Sequence, residues 1–279
     1  MRARTTDLFF TLYGDYICHR GGEAWTRNLL QLLGDLDISA PAARSAIARL
    51  SQKGWLSPRK DGRRSLYAQT PNMAALLADA NQRIYGLRGS DWDGDWYIIN
   101  YSLGESRREK RNYLRKRLLA LGLGQLSAGT WISPHDLRAD LTRLIDDLGL
   151  HQEVGYFRSR FLGFSDEAAL VAHCWDLQAL NNAYQLFLAD HQPHLERDQE
   201  AILNGQSKLS DRDCFVRRFC VVHDFRRFPY RDPHLPPHLL PADWLGATAT
   251  RLFDTYQTLL TDRANRYVDA VLATTPISE

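Results

Sequence analysis

The stretch Ile38–Thr70, ISAPAARSAIARLSQKGWLSPRKDGRRSLYAQT, constrains the fold more than any other part of this chain. It reads as a short helix, a glycine turn, a strand, a basic hairpin tip and a second strand. That order is a winged helix-turn-helix. Ser39 is placed to cap the helix, and Pro41 suits its first turn, where a missing N–H costs nothing. Ala43, Ala46, Ile47 and Leu50 recur at helical spacing and make one apolar face. Arg44, Ser45, Arg49, Gln52 and Lys53 fall off that face, and Gly54 is a natural stop. Trp55 and Leu56, then Leu66 and Tyr67, supply the inner residues of two strands. Between them Lys60-Asp61-Gly62-Arg63-Arg64 makes a tight turn with a basic tip. Upstream, Leu29, Leu30, Leu32, Leu33 and Leu36 mark another apolar helix before the Asp37-Ile38 turn.

A helix of this size fits the major groove of B-DNA. Arg63 and Arg64 on the hairpin can sit on phosphates or enter the minor groove. The DNA-binding candidates are therefore Arg44, Ser45, Arg49, Lys53, Arg63 and Arg64. The plain alternative for any basic cluster is a solvated face, and the order of elements tells against it here. Charge distribution points the same way. Of the chain's 35 Lys and Arg and 33 Asp and Glu, residues 1–90 hold 13 basic and 7 acidic, leaving 22 and 26 for the remainder. The basic third is the one that contains the winged element, as expected of a DNA-reading domain joined to a neutral or acidic partner domain.

The 279 residues, 44% of them hydrophobic, predict two or three domains with cores of their own. No apolar run is long enough to span a membrane, and MRARTTDLFF lacks a signal-peptide core, so a cytoplasmic protein is expected. Cys18, Cys174, Cys214 and Cys220 are widely spaced and suggest neither zinc nor a disulfide framework.

Along the chain, a first helix is expected over residues 5–18 and a second from Trp25 to Leu33. A connecting helix follows over Asn72–Tyr85 and a linker over Gly86–Gly94. Asp95–Tyr101 reads as a strand, Glu105–Leu121 as a strongly basic helix, and Gly122, Gly124 and Gly129 punctuate a hairpin. Its strand candidates are Leu126 and Trp131-Ile132-Ser133. A helix over Asp136–Leu148 and a strand over Glu153–Phe161 complete a β-α-β-β-α-β order, the ferredoxin-like arrangement. Beyond Ser165 helices are expected over Ser165–Trp175, Leu177–Ala189, Asp211–Phe228 and Ala247–Leu272, with a Pro-rich segment before the last.

Read together, these motifs resemble those of the phenylacetic acid degradation repressor family (PaaX-type). The matching segments are LYGDYICHRGGEAW (Leu12–Trp25), SAIARLSQKGWL, GRRSLY (Gly62–Tyr67), WDGDWYII (Trp92–Ile99), CWDL (Cys174–Leu177), HDFRR (His223–Arg227) and DPHLPPHLLPADWLG (Asp232–Gly246). They follow the family's order from end to end. The resemblance implies an α+β multidomain protein: a winged helix-turn-helix domain with connecting helix over 1–88, a ferredoxin-like central domain over 89–163, similar to a CRISPR-associated endoribonuclease fold, and a helical effector and dimerisation domain over 164–279. It further implies a homodimeric repressor, without an enzymatic cofactor, that is released from operator DNA by an aryl-acyl-CoA such as phenylacetyl-CoA. Small residues on the base-facing surface (Ala40, Ala42 and Ala48) depart from the typical member and predict a different operator sequence.

Arg107, Arg108, Lys110, Arg111, Arg115, Lys116 and Arg117 on the central helix read either as a further nucleic-acid contact or as a solvated face paired with Glu105 and Glu109. The interspersed signs favour the solvated face. Asp91, Asp93 and Asp95 raise an alternative, a metal-dependent nuclease using the central domain, since phosphodiester cleavage needs clustered carboxylates. At a linker–strand boundary, however, aspartates are ordinary turn residues. An acyl-CoA effector needs cationic donors for phosphates and an apolar slot for its acyl group. Arg226 and Arg227, with His223, Trp175, Tyr184 and Trp244, are the effector-binding candidates. The competing reading has the same residues pinning the Pro-rich segment, with either arginine paired to Asp224 or Asp232. No nucleophile elbow is present.

Overall fold

The computed structural model describes residues 5–62, 64–86, 92–205 and 208–274. Helices alternate with two small antiparallel sheets, and the C-terminal region is helical. The chain divides into two compact units. The first holds residues 1–86, 187–226 and 248–279; the second holds 87–186 and 227–247. The C-terminal elements are thus shared between both. No helix among the described residues is long and apolar enough to cross a membrane.

The first unit opens with α1 (Thr5–Leu12), which continues as a π-helical turn over Tyr13–Ile17 and a 3-10 turn over Cys18–Arg20. The single helix expected over 5–18 is therefore wound in three ways. Gly21 and Gly22, with φ of 85° and 73°, then turn the chain into a short strand β1 (Glu23–Trp25). The sequence placed a helix start at Trp25. Instead α2 spans Thr26–Gly34, because Glu23, Ala24 and Trp25 pair with Ala68, Tyr67 and Leu66. Then come α3 (Ala40–Gln52), β2 (Leu56–Asp61), β3 (Arg64–Gln69) and α4 (Pro71–Tyr85). The sheet order is β1-β3-β2.

Later segments complete this unit. Helix α8 runs from Leu177 to Leu203, with Phe187 onward in the first unit. It passes through Pro193 and ends well beyond the Ala189 expected from sequence. An interior proline costs about 3 kcal/mol or more. Packing outweighs it here: Phe187, His191, Leu195 and Asp198 are buried along one face. Helix α9 is Asp211–Phe225, closed by a reciprocal Ser210–Asp213 capping box, and α10 is Gly246–Ala273. Helix α1 packs against α3 and α9.

One charged contact fastens these segments. Arg218 in α9 forms an ion pair with Asp15 in which both side chains are under 10% exposed. The Arg218 guanidinium also donates to Thr261 Oγ1 at 3.0 Å and lies 5.2 Å from the Tyr16 ring centroid. Tyr85 Oη donates to Asp15 Oδ1 at 2.5 Å.

In the second unit, β4 (Trp96–Tyr101), α5 (Arg108–Ala120), β5 (Gly124–Ser127), β6 (Thr130–Ser133), α6 (Arg138–Leu148) and β7 (Val154–Ser159) follow a β-α-β-β-α-β order, with sheet order β5-β6-β4-β7. Alternation along β4 serves both faces of this sheet. Ile99 and Tyr101 join Leu114, Leu118, Trp131 and Leu144 in one core. Trp96 joins Ile132, Leu170, Val171 and Leu239 in the other, beneath α7 (Glu167–Cys174). Gly124 has no room for a side chain: a Cβ there would meet Trp175 and Cys174 at 2.6–2.7 Å.

Breaking a buried pair leaves an uncompensated charge. Asp15→Ala should therefore lower the unfolding free energy by about 3–5 kcal/mol, measured by urea titration. Adding Arg218→Met should recover part of that loss. A single-variant loss below about 1 kcal/mol would mean that the pair is not what joins these segments.

Candidate nucleic-acid interface

Helix α3 is bounded as its residues require. Ser39 Oγ accepts from Ala42 N at 3.4 Å, Pro41 lies in the first turn, and Gly54 follows the last turn at φ 72°. Trp55 N reaches Leu50 O at 2.9 Å and Gly54 N reaches Ser51 O at 3.0 Å, a doubly bonded helix end that needs the left-handed glycine. Ala43, Ala46, Ile47 and Leu50 are all buried. Arg44, Ser45, Ala48, Arg49, Gln52 and Lys53 are exposed. Among the described residues, no ion pair or side-chain hydrogen bond engages Arg44, Arg49 or Lys53. The helix thus presents three uncommitted cations and a hydroxyl, with small alanines between them.

The basic hairpin lies in the same unit. Strands β2 and β3 pair from Leu56↔Gln69 to Asp61↔Arg64, and Gly62 takes φ 58° at the turn. Lys60 is exposed and Arg64 half-buried. Arg63 lies outside the described residues. Two cations extend this surface that the sequence reading did not single out. Arg59 on β2 pairs with Glu23 of β1 at 3.0 Å. Arg27 is exposed in the first turn of α2, which Thr26 Oγ1 pins to Ser65 O of β3 at 2.8 Å. The signal for Arg27 is non-local, since it depends on β1 bringing that turn beside the hairpin.

Several other basic and acidic candidates are committed elsewhere, whereas Arg115, Lys116 and Arg117 on α5 are exposed and, among the described residues, no ion pair engages them. On α5 and the turn before it, Arg107 pairs with Glu153, Arg108 and Arg111 with Glu105, and Lys110 Nζ donates to Leu148 O at 2.5 Å. Asp95 is held by Arg158 at 2.5 Å and Arg160 at 3.0 Å, and Asp93 by Arg158 at 2.7 Å. The hydrogen bond from Arg160, helped by that from Arg158, holds the Asp95 carboxyl below its ordinary range against the opposing effect of burial. Asp91 lies outside the described residues. No group of three or more His, Cys, Asp or Glu suited to a metal occurs among the described residues.

The six effector candidates divide between the two units. His223 and Arg226 belong to the first; Trp175, Tyr184, Arg227 and Trp244 belong to the second. His223 Nδ1 lies 2.8 Å from Thr11 Oγ1, and its ring stacks on Phe219. Tyr184 is buried, stacked on Phe228 at 4.2 Å and set edge-on to Trp244 at 5.5 Å. Its hydroxyl donates to Asp232 Oδ2 at 2.6 Å, and Asp232 Oδ1 accepts from His234 N at 2.7 Å. These bonds pin the Pro-rich segment. Arg227 is exposed, with its guanidinium 5.5 Å from the Phe228 ring centroid. Trp175 donates to Gly122 O at 3.0 Å and borders an open cavity of about 580 Å³ with His173, Leu177, His238 and Leu240.

Comparison with known proteins covers nearly the whole chain. Residues 4–72 match the model of the PaaX-like protein family, residues 89–171 the PaaX protein central Cas2-like domain, and residues 175–270 the PaaX-like protein C-terminal domain. The chain is 33% identical over 250 residues to the transcriptional repressor PaaX of Escherichia coli (strain K12), covering 88% of this chain and 77% of that protein. A solved structure, the uncharacterized protein Rv0674 from Mycobacterium tuberculosis, is similar with a TM-score of 0.55 and 25% identity, covering 88% of this chain and 89% of that one.

Tyr184→Phe removes one donor from a buried carboxylate and should destabilise the protein by about 1–3 kcal/mol without any ligand present. Urea unfolding of both proteins measures it. An unchanged midpoint would mean that the bond from Tyr184 to Asp232 does not pin the Pro-rich segment.

Proposed function

The chain belongs to the PaaX family, and from that premise we propose that it is a DNA-binding transcriptional repressor of phenylacetate catabolism genes. It acts in the cytoplasm as a homodimer and leaves its operator when an aryl-acyl-CoA such as phenylacetyl-CoA binds. In this reading residues 26–69 form a winged helix-turn-helix, with α3 as recognition helix and β2–β3 as wing. The central domain, residues 89–163, is ferredoxin-like, for which its element order and strand order β5-β6-β4-β7 speak. The observation that carries the proposal is the outer face of α3, where Arg44, Ser45, Arg49 and Lys53 stand exposed on a firmly capped helix. Arginine reads guanine bidentately in the major groove, and lysine at a helix end suits a phosphate. Arg63, Arg64 and Lys60 on the wing would add sequence-blind phosphate contacts, joined by Arg27 from the start of α2.

A dimer would place two such helices on half-sites about one helical turn apart, or a multiple of it. Release requires that the effector bind the free form more tightly than the operator-bound form, since equal affinity shifts nothing. The aromatic groups around Trp175, Tyr184 and Trp244, with Arg227, His223 and Arg226, remain the residues proposed to answer it. A nuclease would need open carboxylates; Asp93 and Asp95 are engaged by arginines.

Selection from a random duplex pool tests the proposal. A palindromic consensus is expected, with binding that resists excess scrambled DNA and is abolished by phenylacetyl-CoA. Retention of the duplex at saturating phenylacetyl-CoA would reject that effector, and binding without a consensus would reject the repressor.

Two substitutions separate base reading from phosphate contact. Arg44→Ala should cost about 1–3 kcal/mol and relax the preference at one base position. Lys53→Ala should weaken all sequences alike and reduce the salt slope by about one. Equal, sequence-blind losses from both would mean that α3 does not read bases.

A further inference from the structure

Asp35 stands where a helix least favours a carboxylate. It follows Gly34 at the C-terminal end of α2, among carbonyls that already carry partial negative charge. The turn it begins is short and closely specified. Asp37 N donates to Gly34 O at 3.0 Å, Ile38 N donates to Leu33 O at 3.0 Å, and Asp37 adopts φ 60° although it is not glycine. One residue later Ser39 caps α3. Asp35 to Ile38 therefore set the angle at which α3 leaves α2.

Compensation for Asp35 comes from distant sequence within the same unit. Arg212 Nε, in the first turn of α9, donates to Oδ1 at 2.6 Å. Tyr267 Oη, on α10, donates to Oδ2 at 2.5 Å. Both oxygens of a carboxylate that is only 12% exposed are thus taken by the two C-terminal helices. Neighbouring contacts brace the body of α2 and the 3-10 turn before β1: Asn28 Nδ2 donates to Val271 O at 2.9 Å, and Arg20 pairs with Asp269 at 2.6 Å. Asp35 alone among these reaches the turn itself. A residue that breaks a local rule and is repaid by specific partners marks a position under a further constraint.

We propose that Asp35 is a positioning residue for DNA reading: held by Arg212 and Tyr267, it makes the angle of α3 depend on where α9 and α10 stand. The proposal rests on α3 being the DNA-reading helix. It deepens that reading by naming the contact through which the C-terminal helices bias operator affinity. Arg212 and Tyr267 touch no DNA in this account, and their effect passes through the turn.

The test uses full-length protein with Arg212→Gln and Tyr267→Phe, singly and together. Fluorescence anisotropy at fixed salt measures affinity for the duplex selected by the unmodified chain and for a scrambled duplex of equal length. The double variant should lose roughly tenfold in affinity for the selected duplex, while affinity for the scrambled one, supplied by phosphate contacts, stays within about twofold. Asp35→Asn, which keeps one acceptor oxygen, should lose less than Asp35→Ala. Should Asp35→Ala not fold, Arg212→Gln changes a half-exposed side chain and still carries the test. An unchanged ratio of the two affinities in folded variants overturns the proposal. So does a parallel fall of both affinities with the thermal midpoint, which would make the contact a brace only. Arg44→Ala run alongside separates the two levels: if it too leaves the ratio unchanged, the reading of α3 has failed rather than the role of Asp35.

Discussion

The buried pair between Arg218 and Asp15 is the contact on which the first unit depends. Taking two charges out of water costs several kcal/mol per ion, and the attraction between them offsets this only where the remaining donors and acceptors are satisfied. Here they are: Thr261, Gln257 and Tyr85 share the guanidinium and the carboxylate, and the Tyr16 ring faces the cation. The burial pushes the Tyr16 hydroxyl well above its ordinary range, with Asp15 adding to the effect and Arg218 opposing it. Such a pair is poor evidence for net stability but good evidence for specificity, because a slipped packing of α9 on α1 would strand both charges. The segment that carries α3 is therefore built into one body with α9 and α10.

That arrangement explains what could be read from sequence and what could not. Elements whose signals are local were legible. Ser39, Pro41 and Gly54 bound α3 within a residue of where the chain itself announces them, and Ala43, Ala46, Ile47 and Leu50 form the buried stripe that their spacing requires. Strand β1 was not legible. Three residues hold no periodic pattern, and β1 exists because β3, about forty residues on, offers an edge to Glu23–Trp25. Likewise α8 crosses Pro193 because Phe187, His191, Leu195 and Asp198 face a core assembled from distant segments. The exposed candidates on α3 needed only helical spacing to be found. Arg27 needed β1, and Asp35 needed α9 and α10.

The sheet of the second unit shows the same division. Trp96, Ile99 and Tyr101 announce a strand, but not that it serves two cores. The aromatic residues that looked like walls for a ligand are largely spent on structure. Tyr184 is stacked on Phe228 and bonded to Asp232, and Trp175 closes over Gly124. A composition rich in aromatics and arginine is shared by ligand pockets and by well-satisfied cores, so residue type alone does not separate them. What separates them is whether the polar atoms are already paired.

Regulation of DNA binding then becomes a question of energy rather than of distance. A ligand can move an equilibrium only by the difference between its affinities for the two forms, and shifting one from mostly bound to mostly free takes about 5.5 kcal/mol across two decades on either side. Surface ion pairs, worth about 0–1 kcal/mol each, do not carry that alone. The contacts that join α1 and α2 to α9 and α10 are of another kind. Arg218–Asp15 is buried, Asn28 is buried against the last turns of α10, and Asp35 has both oxygens occupied. Displacing either C-terminal helix would break several of them together, and contacts that share partners do not add independently. A packed body of this kind has few intermediate states, so a small displacement of α9 or α10 would be converted into a discrete change in where α3 points.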